Sequence, residues 1–490
     1  MIPILYKLRE GIRFEDRNNS SLVISEAPLN VVRASKRAVR IIHLCDGKRT
    51  LQQIADDTGI AEEAQVFKIC EYFNKKAVLE TRVAQNPGYF PSISVIISTK
   101  DRGKELVECL ESILSQDYSP DGFEVIVIDD GSLDETRKLA SSFPCKLLTN
   151  PSSRGQSYCR NAGARQARGE ILAFMDDDCV AGRTWLRDLA TYFRWDAVGA
   201  VGGYVDGYRN RTPLDRYEKE FSRLNLGKYI LHDLKDSSTF FIPTCNMLVR
   251  KKAFDEIGGI RESLHLGEDV DFCWRMRDAG WQALYVPSGT VKHKHRNTLL
   301  SMLKRRADYG TSEAVLSTLH PHRMKAMQMN PLAAVAFMGL CSTIGFLNLF
   351  PLLVTGGCYV AETGIKAIRL HRKHIRISFG KVCFSVLRMY MSYFYALSFH
   401  LARYYLSLWL LLGFAFHSLW GLGFCFLILA AFVDYSVKRP RLAFPVFFFY
   451  YFLDHLSYQL GVLAGCVRTR SFRSYRLRIV RRLDERRTGQ

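Results

Sequence analysis

SISVIISTKDR (residues 92–102) is an unbroken apolar run that ends in charge, and its reading decides the fold. Four to eight apolar, β-branched residues after a proline predict a buried strand. The helical pattern KELVECLESILSQ (104–116) follows it. FEVIVIDD (123–130) then repeats the strand pattern and stops at Gly131-Ser132. Outward from there come CKLLTN (145–150), the helical GQSYCRNAGARQARG (155–169) and the strand ILAFMDDD (171–178). Strands alternating with helices predict a mostly parallel, doubly wound α/β sheet. Such sheets bind ligands at the carboxyl ends of their strands. Acids crowd those ends: Asp101, Asp129-Asp130 and Asp176-Asp177-Asp178. No G-x-G-x-x-G follows the first strand and no Walker A lysine loop occurs, which excludes the usual dinucleotide and P-loop chemistries.

Three adjacent aspartates at a strand end repel one another and raise each other's pKa. A bound Mg²⁺ or Mn²⁺ relieves the repulsion, because hard cations take carboxylate oxygens and bridge them to phosphates. Asp176 and Asp178 share a strand face, so both reach one ion. A solvated acidic turn is the plain alternative. A second acidic pair, Glu268-Asp269, opens the helical segment GEDVDFCWRMRDAGW (267–281). Carboxylates there either cap the helix and favour its dipole or accept a proton from a reacting hydroxyl. Further on, VKHKHR (291–296) brings two histidines behind a β-like segment.

Together SVIISTKDR, VIVIDDGSLDET, RGQSYCRNAGARQARGEILAFMDDDC, GEDVDFCWRMRDAGW and VKHKHR resemble the family 2 glycosyltransferases of GT-A fold. The resemblance spans residues 90–310 of a domain read as 90–325 and implies a nucleotide-sugar donor. It implies donor-nucleotide contacts at Thr99, Asp101, Asp129, Arg154, Arg160 and Asp177, with Asp129 on the base. It implies a D-x-D metal site of Asp176 and Asp178 completed by His293. It makes Asp269 the catalytic base, with Glu268 the weaker candidate, in an inverting, metal-dependent hexosyl transfer. Asp101 stands where many relatives carry Asn. The Q-x-x-R-W pattern of long-chain processive synthases is missing.

Residues 1–89 read as a separate small domain. Apolar residues recur at helical spacing: Ala38, Ile41, Ile42 and Cys45, then Leu51, Ile54 and Ala55, then Val66, Ile69, Cys70 and Phe73. Asp46-Gly47 ends the first helix, Thr50 caps the second, and Gly59 ends it. Three short helices and an extended tail predict a winged-helix-like fold. The third helix, AEEAQVFKICEYFNKK (61–76), is acidic where DNA phosphate would need positive charge, so no nucleic-acid partner is expected. HLCDGKRTLQQIADDTGIAEEAQVFKICEYFNKKAVLE (43–80) resembles the PqqD-like peptide-recognition fold. A PqqD-like head on a family 2 domain with a hydrophobic C-terminal region resembles the glycosyltransferases of the mycofactocin system. That resemblance implies a peptide-derived redox cofactor as acceptor, met with its maturation enzymes, and β-linked glucose from UDP-glucose.

Residues 326–490 change character. Apolar stretches at 332–357, 406–433 and 442–465 are long enough to span or enter a bilayer, where about 20 apolar residues suffice. Basic islands at 366–381, 437–441 and 468–487 divide them and carry part of a formal charge of +20. Beside apolar stretches such charge favours anionic membrane lipid and a cytoplasmic catalytic domain. An all-helical soluble domain is the alternative. The thirteen cysteines contain no C-x-x-C, which fits a reducing compartment. MIPILYKLREGIRFED (1–16) has no long apolar core, so no secretory signal is expected. Two rival functions remain at this stage: transfer to a lipid or cell-surface polysaccharide acceptor, and a non-enzymatic DNA-binding membrane regulator that leaves the acid clusters unexplained.

Overall fold

In a computed structural model, described over residues 4–26, 28–83, 88–232, 240–323, 325–346 and 348–481, the N-terminal segment begins with strands. β1 (Ile4–Leu8), β2 (Arg13–Arg17), β3 (Ser20–Glu26) and β4 (Leu29–Ser35) precede helices α1 (Lys36–Leu44), α2 (Leu51–Thr58) and α3 (Glu63–Lys75), and β5 (Leu79–Val83) closes the segment. β2, β3 and β4 form an antiparallel sheet, while β5 returns to pair with β1. Thr50 and Gln53 make a reciprocal capping box at the start of α2, and Gly59 ends that helix at φ +64°. Ile41, Ile42, Ile54 and Val66 form its fully buried centre.

The next stretch runs β6 (Ile93–Thr99), α4 (Gly103–Leu114), β7 (Phe123–Asp129), α5 (Thr136–Ala140), β8 (Lys146–Thr149), α6 (Gln156–Gln166), β9 (Ile171–Asp176), β10 (Cys179–Ala181), α7 (Trp185–Ala190), β11 (Val198–Gly202), β12 (Val205–Gly207), α8 (Pro213–Phe221), β13 (Leu231–His232), β14 (Met247–Arg250), α9 (Lys251–Glu256), α10 (Glu268–Asp278), β15 (Gln282–Tyr285), β16 (Val291–His293) and α11 (Leu299–Leu319). Eight strands form one sheet in the order β13-β15-β11-β14-β9-β6-β7-β8. The β9-β6-β7-β8 half is parallel, as the alternating pattern predicts. β14 runs antiparallel to both β9 and β11, so the whole is a mixed α/β sheet. The parallel register sets Thr99 beside Asp129 and Ser98 beside Asp176, which lines the strand-end acids along one edge. α6 and α10 cover one face through a core containing Ile96, Ile126, Phe174, Phe272 and Met276. Burying a side chain the size of Phe272 contributes about 1.5–3 kcal/mol.

Four further helices follow: α12 (Pro331–Phe346), α13 (Phe350–Arg372), α14 (Phe379–Leu412) and α15 (Ser418–Lys438); the last helix is α16 (Phe444–Thr469). Of these, α14 and α15 are long and apolar enough to cross a membrane; α12 is apolar but shorter. The uncharged run 406–433 is thus not one span but the end of α14 and most of α15, with the turn near Gly413 between them. Likewise 332–357 breaks between α12 and α13. The basic tail reaches beyond the described residues at 482–490, and the link at 84–87 also lies outside them.

Two compact units result. One holds Gln85–Lys325 with Lys438–Arg476, so that α16 belongs with the large sheet and packs along α11. The other joins Ile4–Ala84 to Ala326–Val437. Within it Leu22, Ile24 and Leu29 pack on Leu370, Ile375 and Val382. Arg17 and Arg13 donate to the carbonyl oxygens of Lys373 and Arg376, which follow α13.

Candidate active site

β6 ends at Thr99, and the chain turns at Asp101, which holds φ +52°. The Asp101 carboxylate accepts from the Leu133 N–H at 2.7 Å, and its own N–H donates to Ser132 Oγ at 2.9 Å. Thr99 is buried and its hydroxyl donates to Asp177 Oδ2 at 2.8 Å. Asp129, at the end of β7, is fully buried; it accepts from the Ser132 N–H at 3.2 Å and from Arg137 at 3.0 Å. These three expected nucleotide contacts therefore line one edge of the sheet.

The strand-end trio is wrapped in cations. Arg102, at the start of α4, donates from Nη1 to Asp177 Oδ1 at 3.0 Å and to Asp178 Oδ2 at 2.8 Å. Arg160 on α6, 1% exposed, donates to Asp176 Oδ1 at 2.7 Å and to Glu268 Oε1 at 3.0 Å. Arg160 thus ties the D-x-D strand to the start of α10, and is enclosed between those acids. Arg154 lies apart from this trio: its guanidinium is exposed and stacks 3.8 Å above the Tyr158 ring.

Pairing of β10 with β16 sets Cys179 opposite His293, which brings His293 Nε2 to 3.3 Å from Asp178 Oδ1. His293 Nδ1 is buried without a hydrogen-bond partner among the described residues. Asp178, Cys179 and His293 form a cluster able to hold a metal ion. Cys179 is fully buried and burial pushes its thiol pKa well up, so it is a poor thiolate donor. The carboxylate and imidazole remain, a donor pair that suits a divalent cation. Burial raises Asp177 to about 6 against the pull of Arg102. Burial also acts on Asp178, but His293 and Arg102 outweigh it and hold its carboxyl below the usual range.

Gly267, at φ +79°, turns the chain into α10. Glu268 is claimed by Arg160. Asp269 is half-buried, and among the described residues its Oδ1 accepts only from the neighbouring Val270 N–H, at 2.8 Å. Burial, and then the charge of Glu268, raise Asp269 to about 8. Asp176, Glu268, Asp269 and His293 all line one cleft. Asp271, two residues on, is fully buried among Arg275, Arg261 and His320, away from that cleft lining.

Sequence reading gave two residues here no role. Asp130 accepts from Asn150, Ser153 and the N–H groups of Arg154 and Gly155, which pins the loop before α6. Burial raises its pKa, but those bonds prevail and hold it at about 2. Arg102 is the other. Its position directly after Asp101, at the carboxyl end of the first strand, was the available signal.

Residues 94–258 match the sequence model of Glycosyl transferase family 2. The pre-mycofactocin glycosyltransferase of Mycobacterium tuberculosis is 27% identical over 357 residues, 72% of this chain and 72% of that protein. Glycosyltransferase AglE of Haloferax volcanii is 31% identical over 203 residues, 40% of this chain and 64% of that one. Among solved structures, the mannosyltransferase PcManGT of Pyrobaculum calidifontis, in complex with GDP-Man and Mn2+, is 19% identical with a TM-score of 0.39, covering 63% of this chain and 87% of that chain.

Proposed function

We propose that the chain, whose residues 94–258 match the sequence model of Glycosyl transferase family 2, transfers a hexose from a nucleotide-sugar donor, UDP-glucose by the resemblance of its motifs, onto a peptide-derived redox cofactor of the mycofactocin type. The name of the M. tuberculosis relative supports that acceptor. The N-terminal segment, read as a PqqD-like peptide-binding domain, is its recognition module. Helices α14 and α15 support attachment to the cell membrane, with the catalytic domain on the cytoplasmic side.

One observation carries the reaction: Asp269, with a raised pKa and no salt-bridge partner among the described residues, faces the same cleft as Asp176, which Arg160 holds. The acceptor hydroxyl attacks the anomeric carbon while Asp269 takes its proton. The bond from that carbon to the diphosphate oxygen breaks, and attack from the far face inverts the centre. Thr99, Asp101 and Asp129 orient the nucleoside at the strand ends. Arg160 fixes the spacing between Asp176 and Glu268, so donor and base keep their alignment. Asp176, Asp178 and His293 would hold Mg²⁺ or Mn²⁺, which supplies positive charge to the departing diphosphate.

The test uses purified full chain in detergent with UDP-glucose and Mn²⁺. Glucose should appear on a mycofactocin precursor, in the β configuration, and EDTA should stop transfer. The two apolar helices favour a second reading, a lipid-linked acceptor; glucose on extracted lipid and none on the precursor would replace the first. A retained α configuration would sink the inverting mechanism.

A further inference from the structure

Arg306 lies on α11, outside the 94–258 family match, and is 2% exposed. Its Nε donates to Asp454 Oδ2 at 2.6 Å, and its Nη2 donates to Glu218 Oε1 at 2.7 Å. The Tyr217 hydroxyl donates to the same Asp454 oxygen at 3.3 Å. Tyr217 and Glu218 are on α8, and Asp454 is on α16. One guanidinium therefore ties three helices together.

That tie is not needed to seat α16 on α11. Glycines already bring the two backbones into contact: a Cβ on Gly461 would lie 1.9 Å from the Ala307 carbonyl oxygen, and one on Gly310 would lie 2.1 Å from that of Tyr458. Buried ion pairs are poor sources of net stability, and an apolar set of similar volume holds helices as well. They do fix orientation. Arg306 lines the same cleft as Asp176, Asp269 and His293, and Nη1 is the guanidinium nitrogen with no hydrogen-bond partner among the described residues. Arg296, Arg305 and His295 line the cleft beside it. The cleft therefore holds Arg306 and further cationic groups together with Asp176, Glu268 and Asp269. A leaving diphosphate gains charge as its bond breaks and is stabilised by fixed donors already aimed at it.

We infer that Asp454 is a positioning residue for transfer: with Glu218 it holds Arg306 so that the remaining guanidinium edge meets the donor's diphosphate. The inference rests on the nucleotide-sugar reading above. It makes the last apolar helix part of the catalytic machinery.

Calorimetry of UDP and of uridine, each with Mn²⁺, on the full chain in detergent tests this. Uridine lacks the diphosphate and reports the nucleoside contacts alone. Asp454→Asn should weaken UDP at least ~10-fold and leave uridine within about 2-fold. In an Arg306→Lys background the same change should cost UDP less than about 2-fold more, because the two residues act as one unit. Glu218→Gln is the second variant and should show the same UDP-only loss. A variant with lowered Tm but unchanged UDP affinity, or with equal losses of UDP and uridine, overturns the inference. So does aggregation of both carboxylate variants while Tyr217→Phe binds UDP normally, because the trio is then structural. If wild type binds neither UDP nor GDP, the donor reading itself has failed and the inference falls with it.

Discussion

The strand-end acids and the helix-start acids are held in opposite ways. Asp176, Asp177 and Asp178 are met by Arg160, Arg102 and His293. Of the helix-start pair, Glu268 has Arg160, while among the described residues Asp269 has only a backbone N–H from its own turn. The outcome is Asp178 held below the usual carboxylate range and Asp269 raised to about 8. Density of acids in the sequence is similar at both places; the number of cationic partners differs. A metal ligand needs a permanent negative charge, and a base needs an unclaimed lone pair near the working pH. The partners provide each condition.

Breaking the strand-end side should have the largest effect. Asp178→Asn removes a carboxylate oxygen from beside His293 and leaves Arg102 with Asp177 alone. Transfer should fall at least ~1000-fold, with Mn²⁺-dependent UDP binding lost in calorimetry. Undiminished turnover by the variant, or wild-type rates in excess EDTA, would remove the metal from this corner.

Much of this contrast could be read in the sequence, and the missing parts share a cause. Apolar runs ending in acids marked the β6, β7 and β9 edge, and Thr50 with Gln53 marked the start of α2, because those signals are local. Arg102 meets Asp178 from 76 residues away and Arg160 meets Glu268 across 108, so only strand register and helix packing create those pairs. The sheet β2-β3-β4 was missed because RFEDR and SSLVISE carry too short and too polar a pattern to separate strand from loop. For α16 hydropathy looked like that of α15. The difference was Asp454, His455 and Gln459, buried polar residues on one stretch of helix that require partners.

The helix-start side breaks next. Asp269→Asn keeps the shape but cannot take a proton, so single-turnover transfer should drop by at least ~100-fold while UDP affinity stays within about 2-fold. The proton also has a stability signature. A folded-state value of about 8 lies above the unfolded value of ~3.9. The folded chain therefore binds the proton more tightly, and its stabilising effect is full below pH ~4 and fades as pH rises through about 8. Wild-type transfer should rise with pH toward 8 as thermal stability declines, whereas the Asn variant should lose that part of the decline and melt above wild type at pH 9. Identical melting curves across the range would mean that Asp269 is not the buried acid described, and near-normal transfer by the variant would move the base to Glu268.

The smallest effect belongs to Asp101, where the strand-end edge carries an acid with no cation on it among the described residues. Its carboxylate does one visible thing: it accepts the Leu133 N–H at 2.7 Å and so closes the turn after β6. An Asn side chain keeps that acceptor. Asn also tolerates the left-handed backbone, here φ +52°, better than most residues. Asp101→Asn should therefore leave UDP affinity and transfer within about 3-fold of wild type, as for other exposed substitutions that spare backbone and packing. Asp101→Ala, by contrast, loses the acceptor and leaves a methyl side chain in a conformation that costs roughly 1–2 kcal/mol, so its UDP affinity should fall further. If Asn instead weakens UDP more than ~10-fold, the charge itself touches the donor. Asp101 would then join Asp176 and Asp178 as a residue selected for its charge, and the contrast would become one between a whole charged edge and a single unpaired base.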